Sequence, residues 1–520
     1  MRSTFMGLET NKRGLYTQQS GLYTTGHNIS NANTLGYTRQ RVNMQATSGF
    51  PGVGLNTPTM PGFLGTGVEA GSIQRIRDSF VDQQFRQESN KLGYWESRTK
   101  AIGQMEDVLN EPSDYGLQKS LSQFWQSLQD LAVNPENNGA RAVVVERGQA
   151  VAESFNYMDK SLKEIQTNLG HEINATTKEV NSLLAQISDI NRQIQEIEPN
   201  GYLPNDLYDA RDVLIDQLSE HFPIETKYDQ SGGRALSIAE GSVTISIKME
   251  NGDDIVLVKG REHVQIQAEP NPLVKVDPDG TVTNQPITGL KVSDLSNSPD
   301  VTKTGSSRAF SDFKDNGKVK SLMNSYGTSD GKGLYPEMFA ELDKMAKAFA
   351  EAFNEVHTSG TDINGVKGED FFVHNTGSEI TAGNITVSKK IKDNPNLIAA
   401  SDSTTAGEAE EGNGKNAKAL GNIQFKGLED LDGSTVQTFF QGIIGELGVN
   451  GQQAERMAGN TAVLKASVES RRASISSVSL DEEMTDMIKF QQAYNASARM
   501  ITVIDETLDK IINGMGVAGR

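Results

Sequence analysis

Apolar residues recur with heptad spacing at both ends of this chain, in two segments separated by most of its length. Near the C-terminus Leu480, Met484, Met487, Gln491, Tyr494, Ala498, Ile501, Asp505, Leu508, Ile512 and Met515 follow one another at alternating steps of four and three, with two polar interruptions. A stripe of that kind packs one helix on another. Near the N-terminus Leu8, Leu15, Leu22 and Ile29 recur every seven residues, with Tyr16 and Tyr23 widening the face and Lys12, Gln19 and Gly26 between them. This second stripe is narrower and weak by itself. The chain leaves along one helix and returns along the other, so the two are expected side by side and antiparallel. At 1.5 Å per residue the C-terminal helix runs roughly 50 Å. A lone pair of that length exposes more apolar edge than it hides, and such edges seek partners. The competing reading packs both helices on the central body as ordinary core.

With 520 residues the chain has room for three or four domains and several cores. A formal charge of -19 argues against nucleic acid or an anionic membrane as main partner, because either would repel it without a concentrated basic face. No apolar run approaches the ~18 residues needed to span a bilayer, and the first thirty residues lack the apolar block of a secretory signal, so neither membrane insertion nor export through a cleaved signal peptide is expected. Cysteine is absent, which removes disulfides, thiolate metal sites and cysteine nucleophiles. That composition suits a protein exported unfolded, and ordinary cytosolic proteins as well.

The first helix is expected to stop in the stretch Asn28, Asn31, Asn33 and Gly36, where side-chain amides compete for backbone groups and glycine accepts left-handed angles. A short strand follows over Thr38 to Met44, then a Gly- and Pro-rich loop from Phe50 to Gly71. Long amphipathic helices are predicted from Asp78 to Leu109, stopped by Pro112, from Leu117 to Leu131, stopped by Pro135, and through the seam Leu162 to Ile197, which ends at Pro199 and Gly201. The seam's single four-four step is a stutter that unwinds a supercoil locally. Asn205 or Asp206 is expected to cap a further helix through Leu218. From Phe222 the period changes to two, with a hairpin turn at Asn251-Gly252 and strand candidates at 264–267, 273–276 and 281–283 around a turn at Asp277 to Gly280. Ser296 to Ser307 reads as loop. A helix resumes over Pro336 to His357, Ser401 to Asn416 reads as a mobile acidic loop, and helical periodicity runs from Thr435 onward.

Catalytic chemistry is not visible. The six histidines lie far apart and form no His-Glu-x-x-His arrangement. Gly65, Gly67 and Gly71 lack the strand, helix and Lys-Ser or Lys-Thr of a phosphate loop, and Asp277, Asp279 and Gly280 lack the rest of a calcium loop. No catalytic, cofactor-binding or metal-ligating residue is assigned. Arg39 and Arg41 flank Gln40 beside the end of the first helix, where they are candidates to pair with acidic groups on a neighbouring molecule, or are ordinary surface charge.

Two motifs carry a resemblance. The segment Leu15, Gln18, Leu22 and then Gly26-His27-Asn28-Ile29-Ser30-Asn31-Ala32-Asn33-Thr34-Leu35-Gly36-Tyr37-Thr38-Arg39-Gln40-Arg41 is similar to the N-terminal signature of the hook-associated protein 1 family, axial proteins of the bacterial flagellum. Asp481-Glu482-Glu483-Met484, Gln491-Gln492-Ala493-Tyr494-Asn495-Ala496-Ser497-Ala498-Arg499, Leu508 and Ile512 resemble the axial C-terminal signature. A third segment, Asn205-Asp206-Leu207-Tyr208-Asp209-Ala210-Arg211-Asp212-Val213-Leu214, resembles one that marks this family and argues against hook and rod relatives. The resemblance covers about a quarter of the chain; 222–335 and 360–415 are not recognisable.

The resemblance implies a structural subunit, not an enzyme, in a ring-like helical layer at the extracellular junction of hook and filament. Its expected partners are copies of itself, the hook protein, the second junction protein (hook-associated protein 3) and an export chaperone on the C-terminal helix, with no nucleic acid. Export would follow the flagellar type III pathway. The expected fold class is α+β, mainly α, with paired terminal helices in a coiled coil, a long-helix bundle and an inserted β-rich domain. Residues 1–50 with 478–520 form the terminal assembly domain or inner tube. Residues 51–221 with 336–359 and 417–477 form the bundle, 222–335 the β-rich outer domain, and 360–416 a variable surface insertion with the acidic loop. The candidate assembly residues are Leu8, Leu15, Leu22, Asn28, Ile29, Asn31, Asn33, Tyr37, Arg39, Arg41, Leu480, Met484, Met487, Tyr494, Ala498, Ile501, Leu508 and Ile512. The terminal helices are expected to be poorly ordered in the free subunit and to fold on assembly. The alternatives are a hook or rod subunit, or a flagellar hydrolase carried by the β insertion.

Overall fold

Helix α1 (Thr4–Ser30) ends where the asparagines cluster, and Gly36 takes a φ of +78 to turn the chain back. The computed structural model describes residues 4–50, 65–109, 116–250, 252, 254–276, 282–314, 317–403 and 410–514. Strand β1 (Gln40–Ala46) pairs antiparallel with β2 (Val68–Arg75), so Val68 to Gly71 belong to a ribbon and not to the expected loop. Most of that loop, residues 51–64, lies outside the described residues. Helix α2 (Ser79–Leu109) follows; Pro112 also lies outside them. Helix α3 (Leu117–Val133) stops before Pro135, and Asn137 caps α4 (Asn138–Ile197) by accepting from the amides of Gly139 and Ala140. The expected cap of α5 (Asn205–His221) is corrected: the Asn205 amide donates to Gln40 Oε1 and Ile73 O, and Asp206 accepts from Gln40 Nε2, so both side chains are spent on the ribbon.

The β insertion hangs on α4. A four-stranded antiparallel sheet comprises β3 (Ile224–Asp229), β4 (Ser242–Lys248), β5 (Asp254–Lys259) and β6 (Glu262–His263). Then come β7 (Ile266–Glu269), the small ribbon β8 (Val274–Val276) and β9 (Val282–Asn284), and β10 (Gly289–Val292) with β11 (Ser306–Ala309), which join β7 in the order β11-β10-β7. The turn at 277–280 and Asn251 lie outside the described residues, and the stretch read as loop to Ser307 ends in β11. Asn191 of α4 donates to the carbonyls of Val243 and Gly260 and accepts from Val243 N, while Asn181 does the same service for Ile266. The seam therefore meets strand backbones as well as helix α5, and is not one strand of a supercoil. The insertion also contains a helix that periodicity missed, α6 (Lys318–Tyr326), buried along most of its length.

Helix α7 (Leu334–Ser359), the hairpin β12 (Phe372–His374) and β13 (Ile385–Val387), and the short helices α8 (Lys389–Asp393) and α9 (Lys415–Asn422) close the body. The segment expected to be a surface insertion sends Phe371 and Phe372 into a fully buried aromatic cluster with Phe124, Phe349 and Phe353. Its far end is pinned by Asn416, whose amide donates to the carbonyls of Val356 and Ala399. Thr435 forms a capping box with Thr438 at the start of α10 (Val436–Ser476), which runs antiparallel to α2 on a buried heptad of Leu447, Ala454, Thr461 and Val468. After a break at 477–479, α11 (Leu480–Gly514) begins. The fold is α+β and mainly helical.

His357 sits in the body with both ring nitrogens engaged, Nδ1 2.6 Å from Glu369 O and Nε2 accepting from Ala399 N. A proton on Nε2 would face an N–H, and burial lowers the imidazole from its ordinary 6.5 to about 4. The unfolded chain takes up this proton first, so the contribution is full above pH 6.5 and is lost as pH falls towards 4. Unfolding in urea at pH 7 and pH 4.5 is expected to differ by about 2 kcal/mol from this residue. The buried His221 and the half-buried His263 shift in the same direction and add to the trend. A pH-independent stability across that interval would contradict the assignment.

Candidate assembly site

Helices α1 and α11 lie antiparallel, and glycines make the contact. A Cβ on Gly7 would stand 3.4 Å from Ile504, one on Gly14 3.4 Å from Ser497 Oγ, and one on Gly21 3.1 Å from the Phe490 ring. One heptad further, Asn28 reaches Glu483. Each step of seven along one helix is thus matched by a step of seven back along the other. Bare backbone at these positions lets the larger residues of α11 approach the axis of α1, at a helix-propensity cost of about 1 kcal/mol per glycine.

At the far end of this seam the three recognised segments meet. Asn28, fully buried, donates to Gln40 O at 2.8 Å and to Glu483 Oε2 at 3.0 Å, and accepts from Gln40 N and Tyr37 OH at 3.0 and 2.8 Å. Burial together with the carboxylates of Asp206, Asp209 and Glu483 raises the Tyr37 phenol above its usual range, which keeps it a donor. Arg39 binds Glu483 at 2.7 Å and Glu482 at 2.5 Å, with Asp486 at 3.8 Å, and its backbone N–H donates to Ser476 O. Thr38 N donates to Asp209 of α5, and His27 stands 3.7 Å from Asp206.

Beneath it lies an ionic belt that sequence reading did not find. Asp212, fully buried, accepts from Arg75 at 3.0 Å, Arg77 at 2.8 Å and Arg86 at 3.2 Å. Burial disfavours its charge, but Arg77, Arg75, Arg86 and Arg211 outweigh that and hold the carboxyl well below the usual range. Arg75 also binds Asp209 and Glu240, and Arg472 of α10 bridges Asp82 at 2.8 Å and Asp216 at 2.6 Å. The belt ties β2, α2, α5 and α10 together where the terminal pair leaves the body. Its signal was available: Asp209, Asp212 and Asp216 share one face of α5.

The candidate residues are distributed as follows. Met487, Tyr494, Ala498, Ile501 and Leu508 are half-buried on the side of α11 towards α1, whereas Leu480, Met484 and Ile512 are exposed and outside that seam. Met515 lies outside the described residues. Leu8, Leu15, Leu22 and Ile29 are half-buried beside the glycines, not in their place. Asn28 is an internal anchor and not a helix stop; Asn31 donates back to His27 O, and Asn33 is exposed. Arg39 pairs with Glu482 and Glu483 within its own chain, which is neither the free surface charge nor the bond to a neighbour that the sequence left open, while Arg41 is exposed without a partner among the described residues. Both terminal helices are formed and joined by internal contacts.

Comparison with known proteins defines the class first. Residues 470–514 match the family described as Flagellar basal body rod FlgEFG protein C-terminal, and residues 102–372 match Flagellar hook-associated protein FlgK helical domain. These are structural axial proteins of the flagellum. The flagellar hook-associated protein 1 of Bacillus subtilis (strain 168) is 45% identical over 530 residues, with all of both chains covered, and that of Escherichia coli (strain K12) is 25% identical with 96% of this chain and 98% of the relative covered. The solved structure of the flagellar hook junction protein FlgK from Burkholderia pseudomallei shares the fold, with a TM-score of 0.59 and 13% identity over 76% of this chain and all of that one. The chain belongs to the flagellar hook-associated protein 1 family, and is a structural hook–filament junction protein of the flagellum.

Proposed function

We infer that the chain enters the junction through its terminal helix pair, as one subunit of a ring-like helical layer seated between the hook protein and hook-associated protein 3. The observation that carries this is the state of α11: it packs overwhelmingly on α1 and leaves Met484, Ile488, Met500 and Val503 uncovered along its length. An outer apolar surface on a pair anchored at one end by Asn28 and Arg39 favours addition to a growing array over docking on its own body. The division into terminal domain, bundle, β-rich outer domain and 360–416 segment is part of the same proposal. So are export through the flagellar type III channel, an export chaperone held on α11 before assembly, and the absence of enzymatic activity.

Leu22→Asp and Ile501→Asp flank the seam without entering the body core. Each is expected to abolish incorporation into flagella while the helical signal and unfolding midpoint of the body persist. Normal filament growth with either change would refute the reading. In a strain lacking the protein, hooks without filaments and flagellin lost to the medium are expected; missing hooks would instead favour a rod or hook subunit. Cleavage of cell-wall glycan by the purified chain would favour the hydrolase.

A further inference from the structure

Between residues 156 and 167 helix α4 carries a polar stripe. Asn156, Asp159, Lys160, Lys163, Glu164 and Thr167 recur at steps of three and four, turned away from the buried Phe155, Met158 and Leu162. The stripe floors a groove of about 900 Å³, walled by Val282 to Asn284 of β9, Phe339 of α7 and Gly383. The walls are tied to the floor. Asn284 donates to Lys163 O at 3.2 Å and to Gln166 Oε1 at 2.9 Å and accepts from Thr167 at 3.1 Å, while Gln166 donates to Tyr326 O at 2.7 Å. Those amides are spent on one another. The unmatched atoms of the floor are acceptors: Asn156 Oδ1, whose amide N–H goes to Ile385 O, and Asp159 Oδ1 have no hydrogen-bond partner among the described residues, although the Asp159 side chain is nine-tenths buried. Asp343, one turn beyond Phe339 on α7, adds a second carboxylate, which accepts from Ala382 N at 2.7 Å. Burial raises the Asp343 carboxyl above its ordinary range, and the charge of Asp159 pushes it the same way, with Lys163 working against both.

Lys163 shows what this groove takes. Its Nζ lies 2.8 Å from Asp159 Oδ2 and 5.9 Å from the centre of the Phe339 ring, so an ammonium already rests between a carboxylate and an aromatic face. We propose that the groove binds a primary ammonium on an alkyl stem, the group that a lysine side chain of a peptide or a free polyamine presents, with Asp159 meeting the charge and Phe339 and Val282 the stem. The incoming ammonium displaces Lys163. That side chain is 57% exposed, and a pair so open contributes about 1 kcal/mol or less, so little opposes its release. Unmatched acceptors require a donor, which excludes an anion. A metal ion requires more ligands than the groove holds, since among the described residues no three His, Cys, Asp or Glu side chains stand together. The apolar surface of Phe339 and of Val282, which is 49% exposed, suits a cation that carries a hydrocarbon stem better than a small hydrated one. The formal charge of -19 attracts any cation to the whole chain and does not select the groove. The site lies on the body and is independent of the terminal pair.

The test titrates Nα-acetyl-lysine amide and spermidine into the purified full chain and reads binding by saturation transfer to the methylene protons of the probe. Nα-acetyl-norleucine amide, which keeps the stem and lacks the charge, is the control. At least one amine is expected to bind about tenfold more tightly than the control. Lys163→Ala, which removes the internal ammonium, should tighten that binding about tenfold, and Asp159→Asn should weaken it about tenfold at an unchanged unfolding midpoint. Opposite responses of two residues that form one ion pair are not what a merely structural role produces. Tighter binding of the lysine derivative identifies a peptide side chain as the source of the ammonium, and tighter binding of spermidine identifies a polyamine. If neither amine exceeds the control, or if both variants bind as the unsubstituted chain does, the attraction is the diffuse one of an acidic protein and the proposal is overturned. Should Asp159→Asn fail to fold, Lys163→Ala decides alone: tightening upholds the site and unchanged or weaker binding overturns it.

Discussion

Replacing Asp212 with alanine is expected to destabilise the chain by about 5 kcal/mol, more than any large-to-small change on its surface. Three arginines, Arg75, Arg77 and Arg86, bind this one carboxylate, and Arg75 and Arg86 are nearly enclosed. Together with α5 they sit between the ribbon and the α2–α10 pair. Without the carboxylate five guanidiniums, these three with Arg211 and Arg472, share the four carboxylates of Asp82, Asp209, Asp216 and Glu240 at low dielectric, which leaves one positive charge unmatched. The whole belt adds little net stability, since desolvation offsets most of its attraction, but losing one member leaves uncompensated buried charge. Because the folded carboxyl is held below its unfolded value, its contribution is present above about pH 4 and is lost as pH falls below that. Urea unfolding followed by circular dichroism at pH 7 measures the effect. A loss under about 1 kcal/mol would mean that water or relaxation screens the belt, which its burial contradicts.

The helices, their order and their antiparallel return were legible because they rest on long stretches of repeated spacing, and Pro135, Pro199 and Gly201 stop them where expected. The contact seam was read one residue out of place. Counting apolar residues selects Met484, Gln491, Ala498 and Asp505, and the two polar members were the sign of the error. The true positions are Glu483, Phe490, Ser497 and Ile504, which pair with Asn28, Gly21, Gly14 and Gly7. A seam built from glycine, serine and a buried polar pair has almost no hydrophobic signal, although Gly7, Gly14 and Gly21 keep a strict heptad. Met487, Tyr494, Ile501 and Leu508 were found because they obey the usual rule. Helix α6 and strands β10 and β11 escaped for another reason: each is short, and its burial comes from tertiary neighbours and not from its own periodicity. Arg39 was left between a bond to a neighbour and ordinary surface charge because sequence cannot show that Glu482 and Glu483, more than four hundred residues away, return to meet it.

Asn28→Asp, which changes one atom in kind and none in number, is expected to loosen the terminal pair by about 3 kcal/mol at pH 8 and much less at pH 5. The wild-type amide donates to Gln40 O and to Glu483 Oε2, so an aspartate places a carboxylate oxygen against a carbonyl and 3.0 Å from another carboxylate. Two buried carboxylates at that distance do not both ionise; the pair retains one proton, shared with an apparent pKa raised above the unfolded value. A raised folded pKa contributes stability that is complete at acid pH and disappears as pH rises through it. The native body does the opposite, since His357 costs it stability as pH falls below 6.5. In the variant the two trends therefore separate by location: amides of α1 and α11 should exchange with solvent faster at pH 8 than at pH 5 after correction for intrinsic rates, while amides of the α4 core should move the other way. Arg39 remains beside Glu483 and limits the loss, so the pair loosens without the body unfolding. Asn28→Ala, which removes the bonds without adding charge, should weaken the pair equally at both pH values. Identical pH responses of the aspartate and alanine variants would show that Asn28 and Glu483 do not share a buried contact, and the anchoring of the terminal pair would then have to reside in Arg39 alone.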